Sequence, residues 1–234
     1  MFGGHNRHQS AMTQWIVNTD SGVTLLGGGT SAQADVDEAL TIAPLLVAAD
    51  GGGDRALSLG LSPRAVIGDM DSLSPEARTA LGAKIHAITE QDSTDVGKCL
   101  RQVRAPFYIG VGFTGLRLDH TLAALAEISA HPDKTIILLG ETDIVFRAPP
   151  RLEIDLPLGT RFSIMPFGPM TARSEGLRWP LDGLEFAPDA RIGTSNEVTG
   201  PVRLIPDGPA LVLIPKRHLQ PALAALLRSD ARGG

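Results

Sequence analysis

The stretch L-L-V-A-A-D-G-G-G-D, residues 45–54, decides the fold class. Its first five residues are uninterruptedly apolar, so a strand formed there has both faces covered. It then breaks into an aspartate and three glycines, which bend the chain and let a ligand approach the backbone. The same grammar recurs on either side. Val23–Leu26 runs into Gly27-Gly28-Gly29, Ala65–Ile67 into Gly68-Asp69, Phe107–Val111 into Gly112, and Thr135–Leu139 into Gly140. Amphipathic stretches lie between these runs. Val96, Cys99, Leu100 and Val103 share one helical face, and Leu122, Leu125 and Ile128 repeat the pattern. Buried strands alternating with helices predict a parallel sheet, whose ligands sit outside the carboxyl ends of the strands.

From about Glu141 the texture changes. Prolines and glycines become dense, and short apolar runs such as Arg161–Met165, Val202–Ile205 and Ala210–Ile214 follow turn signals. Short strands between turns predict an antiparallel sandwich or barrel. The fold class is therefore α/β: a Rossmann-like domain over residues 14–140, then a β domain over 141–222, with 1–13 and 229–234 as disordered termini. The 234 residues carry a net charge of −5, which argues against a general nucleic-acid binder. No apolar run reaches the roughly 18–20 residues of a membrane span. The single cysteine, Cys99, excludes an intrachain disulfide and suits a reducing, cytoplasmic setting.

The strand ends carry the chemistry. Asp50 precedes Gly51 and Gly52, and Asp69 and Asp71 are two residues apart, which on an extended backbone puts both carboxylates on one side. Gln91-Asp92-Ser93-Thr94-Asp95 introduces the Val96–Val103 helix, where Thr94 or Asp95 can serve as N-cap. Lys98 lies one turn further, either solvated or reaching a phosphate. The loop from Gly112 holds Thr114, then Arg117 and Asp119, which form a surface salt bridge or a phosphate clamp. His120 is a possible base or a locally bonded helix residue. Carboxylates in such numbers need a cation, and hard oxygen ligands without competing thiolate or imidazole favour Mg²⁺ bridging to phosphates. The glycine run around Gly28 is a tight turn or a phosphate contact. Trp179 is either core or a flat wall for an aromatic ligand.

Taken in order, these segments resemble the thiamine pyrophosphokinase family. Its pattern of D-G-G, G-D-x-D-S, [DQ]-x-x-T-D, G-x-x-G-x-R-x-D-H, G-L-x-[YW]-x-L and S-N-E stands here at Asp50–Gly52, Gly68–Ser72, Gln91–Asp95, Gly112–His120, Gly176–Leu181 and Ser195–Glu197. The resemblance implies diphosphate transfer from ATP to thiamine with Mg²⁺, releasing AMP, by a homodimer with composite sites. It implies that Asp50, Asp69, Asp71 and Asp95 hold metal and triphosphate, with Asp71, Asp95, Arg117 and Asp119 as the catalytic set. Gln91, Thr94, Arg117 and Asp119 would line the nucleotide, joined by Gly28, Gly51, Gly52, Ser72, Lys98 and Thr114. Trp179 would stack on the thiamine pyrimidine, and Ser195 and Asn196 would hydrogen-bond it. Gly53-Asp54 departs from a common Ala-Asn pair and leaves the detail of nucleotide contact open. Alternative readings are a diphosphokinase for a pterin alcohol, or a non-catalytic nucleotide or thiamine-diphosphate sensor.

Overall fold

A computed structural model describes residues 15–233 apart from Gln91 and Leu116, so the expectation of a disordered 1–13 and the role expected of Gln91 lie outside the described residues. In chain order, β1 (Val17–Asn18) and β2 (Val23–Leu26) precede α1 (Gln33–Ile42), β3 (Leu45–Ala49), α2 (Gly52–Ser58) and β4 (Ala65–Gly68). Next come α3 (Pro75–Leu81), β5 (Ile85–Ala87), α4 (Asp95–Gln102), β6 (Val103–Arg104), β7 (Tyr108–Val111), α5 (Leu118–Ala130) and β8 (Ile136–Leu139). The ladders β3–β4–β5 and β2–β7–β8 are all parallel. β3 lies against β2, bridged at Val23 and Pro44.

Alternation of side chains explains why these strands read as unbroken apolar runs. Leu26, Ile109, Val111, Ile137 and Leu139 point to one buried face, with Val36 and Ala39 of α1. Val23, Leu25, Tyr108, Ile136 and Leu138 point to the other, where Val96, Cys99 and Leu100 of α4 meet Ala124 and Ile128 of α5. The face expected on α5 is only partly used: Ile128 is buried, while Leu122 is 54 % exposed.

The second half contains β9 (Asp143–Arg147), β10 (Leu152–Ile154), β11 (Arg161–Pro166), β12 (Met170–Leu177), β13 (Glu185–Phe186), β14 (Gly193–Asp207), β15 (Ala210–Pro215) and α6 (Leu219–Gly233). β9 pairs antiparallel with β8 and then with β15, so hydrogen bonding continues from the parallel strands into the antiparallel ones. The division expected at 140/141 thus marks a change of strand direction, with no break in the sheet. Lys216 Nζ, 2.7 Å from Asp35 Oδ1 of α1, ties the two regions again. The long β14 joins β11 through its first residues and β10 and β12 through the rest. α6 covers this sheet with Leu219, Ala222, Leu223 and Leu226. It runs to Gly233, which corrects the expectation of disorder from 229: Ser229 donates to the Arg151 carbonyl, and Asp230 accepts from Thr135.

Candidate active site

A cavity of about 550 Å³ opens at the carboxyl ends of the parallel strands. Its floor is backbone. A Cβ on Gly27 or Gly29 would come within 2.5 Å of the Gly112 carbonyl oxygen, so these loops approach each other because they lack side chains. Gly28 and Gly51 line the cavity, whereas Gly52 is buried beneath it, packed so closely on the Leu26 carbonyl that a Cβ would lie 1.9 Å from the oxygen. Gly52 is therefore set by packing of α2 on β2, and it does not reach the cavity.

Carboxylate oxygens of Asp50, Asp69 and Asp71 converge to within 4.8 Å of one another. They do so by a different route from the one expected. β4 ends at Gly68, and Met70 adopts a left-handed conformation (φ 70°), so residues 69–71 form a turn and not an extended strand. The turn is held from several sides. The Met70 side chain is buried with Val66, Leu73 and Leu81, and Asp69 Oδ1 accepts from the Asp71 amide at 3.2 Å. Arg78 of α3 donates to the carbonyls of Met70 and Leu73. A non-glycine residue in this conformation costs roughly 1 kcal/mol or more, and such strain clusters at functional sites.

Asp50 is left-handed as well (φ 43°) and only 2 % exposed. Its Oδ2 accepts from the Ser72 amide at 3.2 Å, while its buried Oδ1 has no hydrogen-bond partner. Burial above all, then the charge of Asp95, raises its pKa from 3.8 to about 6, against the lowering pull of Ser72. A buried acceptor without a donor is costly, which makes this oxygen a place that a cation or donor would satisfy.

Of the two outcomes open for Lys98, solvation is excluded, and the residue borders the cavity. It is 2 % exposed, with Nζ 2.9 Å from Asp69 Oδ2 and 3.7 Å from Asp95 Oδ1. Burial works to lower its pKa, but the Asp69 hydrogen bond and the surrounding carboxylates win and raise it, so the ammonium persists. Asp95 lines the cavity yet stands outside the converging triple, and burial raises its pKa more than Lys98 lowers it.

Thr94 is the N-cap of α4, accepting from the Gly97 amide at 3.0 Å, and its hydroxyl donates to Glu127 Oε1 at 2.9 Å. It lines the cavity, as do Ser72, Thr114, Arg117 and His120, but its hydroxyl is already engaged. Arg117 and Asp119 are both 65 % exposed and paired at 2.6 Å. The pairing drives the Asp119 pKa down to about 2, and only Arg117 of the two borders the cavity. Cys99 is fully buried in the helix packing, which pushes its thiol pKa up and leaves it inert.

The thiamine-site residues expected in the second half do not line this cavity. Trp179 is 54 % exposed, so the core reading fails. Arg178 lies over its ring, 5.2 Å from the centroid. Ser195 is exposed and left-handed (φ 63°), and its amide donates to Ser163 Oγ at 2.9 Å. Asn196 is buried, with its carboxamide bonded to the backbone of Trp179.

Sequence reasoning missed Glu127, Arg78 and the true role of Asp54. Asp54 accepts from both the amide and the hydroxyl of Ser74, the N-cap of α3, so it joins two helices, and it does not line the cavity. Glu127 packs where a Cβ on Gly97 would come within 2.3 Å of its Oε1. A glycine inside an otherwise amphipathic helix was the one available signal.

Comparison with known proteins agrees with this architecture. The family model described as thiamin pyrophosphokinase, catalytic domain, matches residues 36–138, and that described as thiamin pyrophosphokinase, vitamin B1 binding domain, matches 150–204. Thiamine pyrophosphokinase 3 of Oryza sativa subsp. japonica is 27 % identical over 179 residues, covering 67 % of each chain. The thiamin pyrophosphokinase structure from Candida albicans shares the fold at 15 % identity (TM-score 0.69), covering 88 % of this chain and 94 % of that one. The yeast thiamin pyrophosphokinase structure does so at 16 % identity and TM-score 0.69, covering 92 % and 91 %. A crystal structure of a protein from Lactobacillus plantarum is 25 % identical with TM-score 0.67, covering 83 % and 98 %. With both family models matched in order over more than half of its length, the chain belongs to the thiamin pyrophosphokinase family.

Proposed function

We propose that this protein transfers the diphosphate of ATP to the hydroxyl of thiamine, giving thiamine diphosphate and AMP. The convergence of Asp50, Asp69 and Asp71 at a cavity floored by backbone carries this reading. The three carboxylates fit Mg²⁺: they offer hard oxygens alone, and the unpartnered Asp50 Oδ1 is a buried anion acceptor waiting for a cation. Bound there, the ion would neutralise charge on the phosphate oxygens.

The chain's own residues supply the rest. The backbone of Gly27–Gly29 and Gly51 admits a polyphosphate without steric interference. Arg117 offers a planar fork to phosphate oxygens, and Asp119 orients it. Lys98 fixes Asp69 from the protein side, and Asp95 forms the acidic wall beside it, a role assigned in place of metal ligation. Ser72 and Thr114 complete the nucleotide side. Diphosphoryl transfer needs positioning and charge neutralisation more than a protein nucleophile, which suits a site without a reactive thiol.

Trp179 and Ser195 form the thiamine side, presented to the cavity of a second subunit in a homodimer. The exposure of Trp179 supports this arrangement, since it leaves the ring accessible to an aromatic ligand held by a second subunit. The buried single thiol agrees with a cytoplasmic setting, and among the described residues no helix is long and apolar enough to cross a membrane. Neither family model supports a pterin substrate. The test is incubation of purified protein with ATP, Mg²⁺ and thiamine, following AMP and thiamine diphosphate together. Equimolar formation of both is expected, and release of ADP with thiamine monophosphate would refute the assignment.

A further inference from the structure

The ladder between β12 and β14 ends at Leu177, opposite Val198. One residue on, the Arg178 amide still donates to the Glu197 carbonyl at 2.9 Å. At Trp179 the pattern changes. Ser195 has turned into the left-handed region, carrying the main chain of β14 aside, and Pro180 can donate no bond to hold the loop. The Asn196 side chain fills the role. Its Oδ1 accepts from the Trp179 amide at 3.1 Å, and its Nδ2 donates to the Trp179 carbonyl at 2.7 Å. A carboxamide has the donor and acceptor of a peptide group, so Asn196 makes toward Trp179 the pair of bonds that an opposing strand residue makes.

The same Oδ1 also accepts from the Glu197 amide at 2.8 Å, and the residue is only 4 % exposed. Its Oδ1 thus takes two backbone amides and its Nδ2 gives to a backbone carbonyl, all within a buried residue, while Trp179 itself stays 54 % exposed. Arg178, paired with Glu197 at 3.5 Å, lies over that indole, 5.2 Å from its centroid.

We propose that Asn196 is a positioning residue: it acts on a flat aromatic ligand only through Trp179, by clamping that residue's backbone, and it makes no contact with the ligand. The inference rests on the reading of Trp179 as the thiamine wall. It departs from the expectation that Asn196 itself hydrogen-bonds the substrate.

The experiment is a double-mutant cycle on the full-length protein in a Trp15→Phe background, where Trp179 is the sole tryptophan. Asn196→Asp keeps the shape and the acceptor but removes the donor to the Trp179 carbonyl. It should raise KM for thiamine about tenfold, with kcat and KM for ATP within about twofold. It should also lower the fluorescence anisotropy of Trp179 and make it more accessible to iodide. In a Trp179→Ala background, adding Asn196→Asp should change KM for thiamine no further. A second rise of similar size there would show direct contact with the ligand and overturn the proposal. A raised KM with unchanged anisotropy and quenching would overturn it equally. If Trp179→Ala leaves KM for thiamine unaltered, the wall reading itself fails, while the anisotropy still reports whether Asn196 holds Trp179. Should Asn196→Asp not fold, Asn196→Gln, which keeps both groups but displaces them by a methylene, is read in the same way. Loss of fold in both variants would assign Asn196 to sheet stability and overturn the proposal.

Discussion

Replacing Asp50 by asparagine should make the metal-free protein more stable at neutral pH. Asp50 is held in a left-handed turn with one carboxylate oxygen buried and unpartnered. Burial, and secondarily the charge of Asp95, raises its pKa from 3.8 to about 6. At 1.36 kcal/mol per pH unit, that difference is worth about 3 kcal/mol. The unfolded chain gives up this proton near pH 4 and the folded chain near pH 6, so the folded state binds more protons in between. Its stability contribution is therefore complete below about pH 4 and lost as pH rises through about 6. Asparagine keeps an acceptor for the Ser72 amide and has nothing to ionise. The stability of the wild type relative to Asp50→Asn should thus fall by about 3 kcal/mol between pH 4 and 7, equivalent to about 6–12 °C in Tm for a chain of this length. Thermal and urea unfolding of both proteins across that range, with divalent ions chelated, measures the difference directly. Adding Mg²⁺ should flatten the wild-type profile and leave that of Asp50→Asn unmoved. Parallel profiles for the two proteins without metal would refute the reasoning, because they would show that Asp50 ionises in the fold as easily as in water.

Three further outcomes are expected. Asp71→Asn should fold normally, since Asp71 is exposed, yet lose at least about 100-fold in turnover, about 2.7 kcal/mol of transition-state stabilisation; unchanged turnover in a folded mutant would remove Asp71 from the site. Lys98→Met should cost about 2–3 kcal/mol by urea denaturation, less than for a wholly buried pair because Asp95 is 36 % exposed, with partial recovery in Mg²⁺; equal stability with and without the ammonium would refute its balancing role. Trp179→Ala should raise KM for thiamine far more than KM for ATP, and verified mixed dimers of Trp179→Ala and Asp71→Asn chains should regain activity that neither homodimer shows; no recovery would reject a site shared between subunits.

Much of this molecule is written locally. Leu45–Ala49 and Thr135–Leu139 declare themselves as strands buried on both faces because nearly every position is apolar, and both are found, the first over those residues and the second over Ile136–Leu139. Strand ends are where such sheets keep their ligands, so the grouping of Asp50, Asp69 and the Gly112 loop follows from order along the chain alone. Thr94 as a helix cap is equally local, since its bond to the Gly97 amide spans three residues.

What the chain order does not contain is which polar atoms are consumed by distant neighbours. Lys98 reads as either solvated or reaching a phosphate until α4 packs against β4 and buries it beside Asp69. Asp69 and Asp71 converge through a left-handed turn that Arg78 and the buried Met70 enforce, a geometry invisible to strand alternation. Asn196 stands in a motif that implies a ligand contact, and only the fold shows its amide bonded to the backbone of Trp179 across the sheet. Local sequence determined the element types, the direction of the sheet and the residues gathered at its ligand-binding end, because strand burial and capping depend on near neighbours. Only the tertiary structure decided which of those residues remain available to a ligand, because hydrogen bonds and ion pairs are allotted by contacts between segments far apart in the chain.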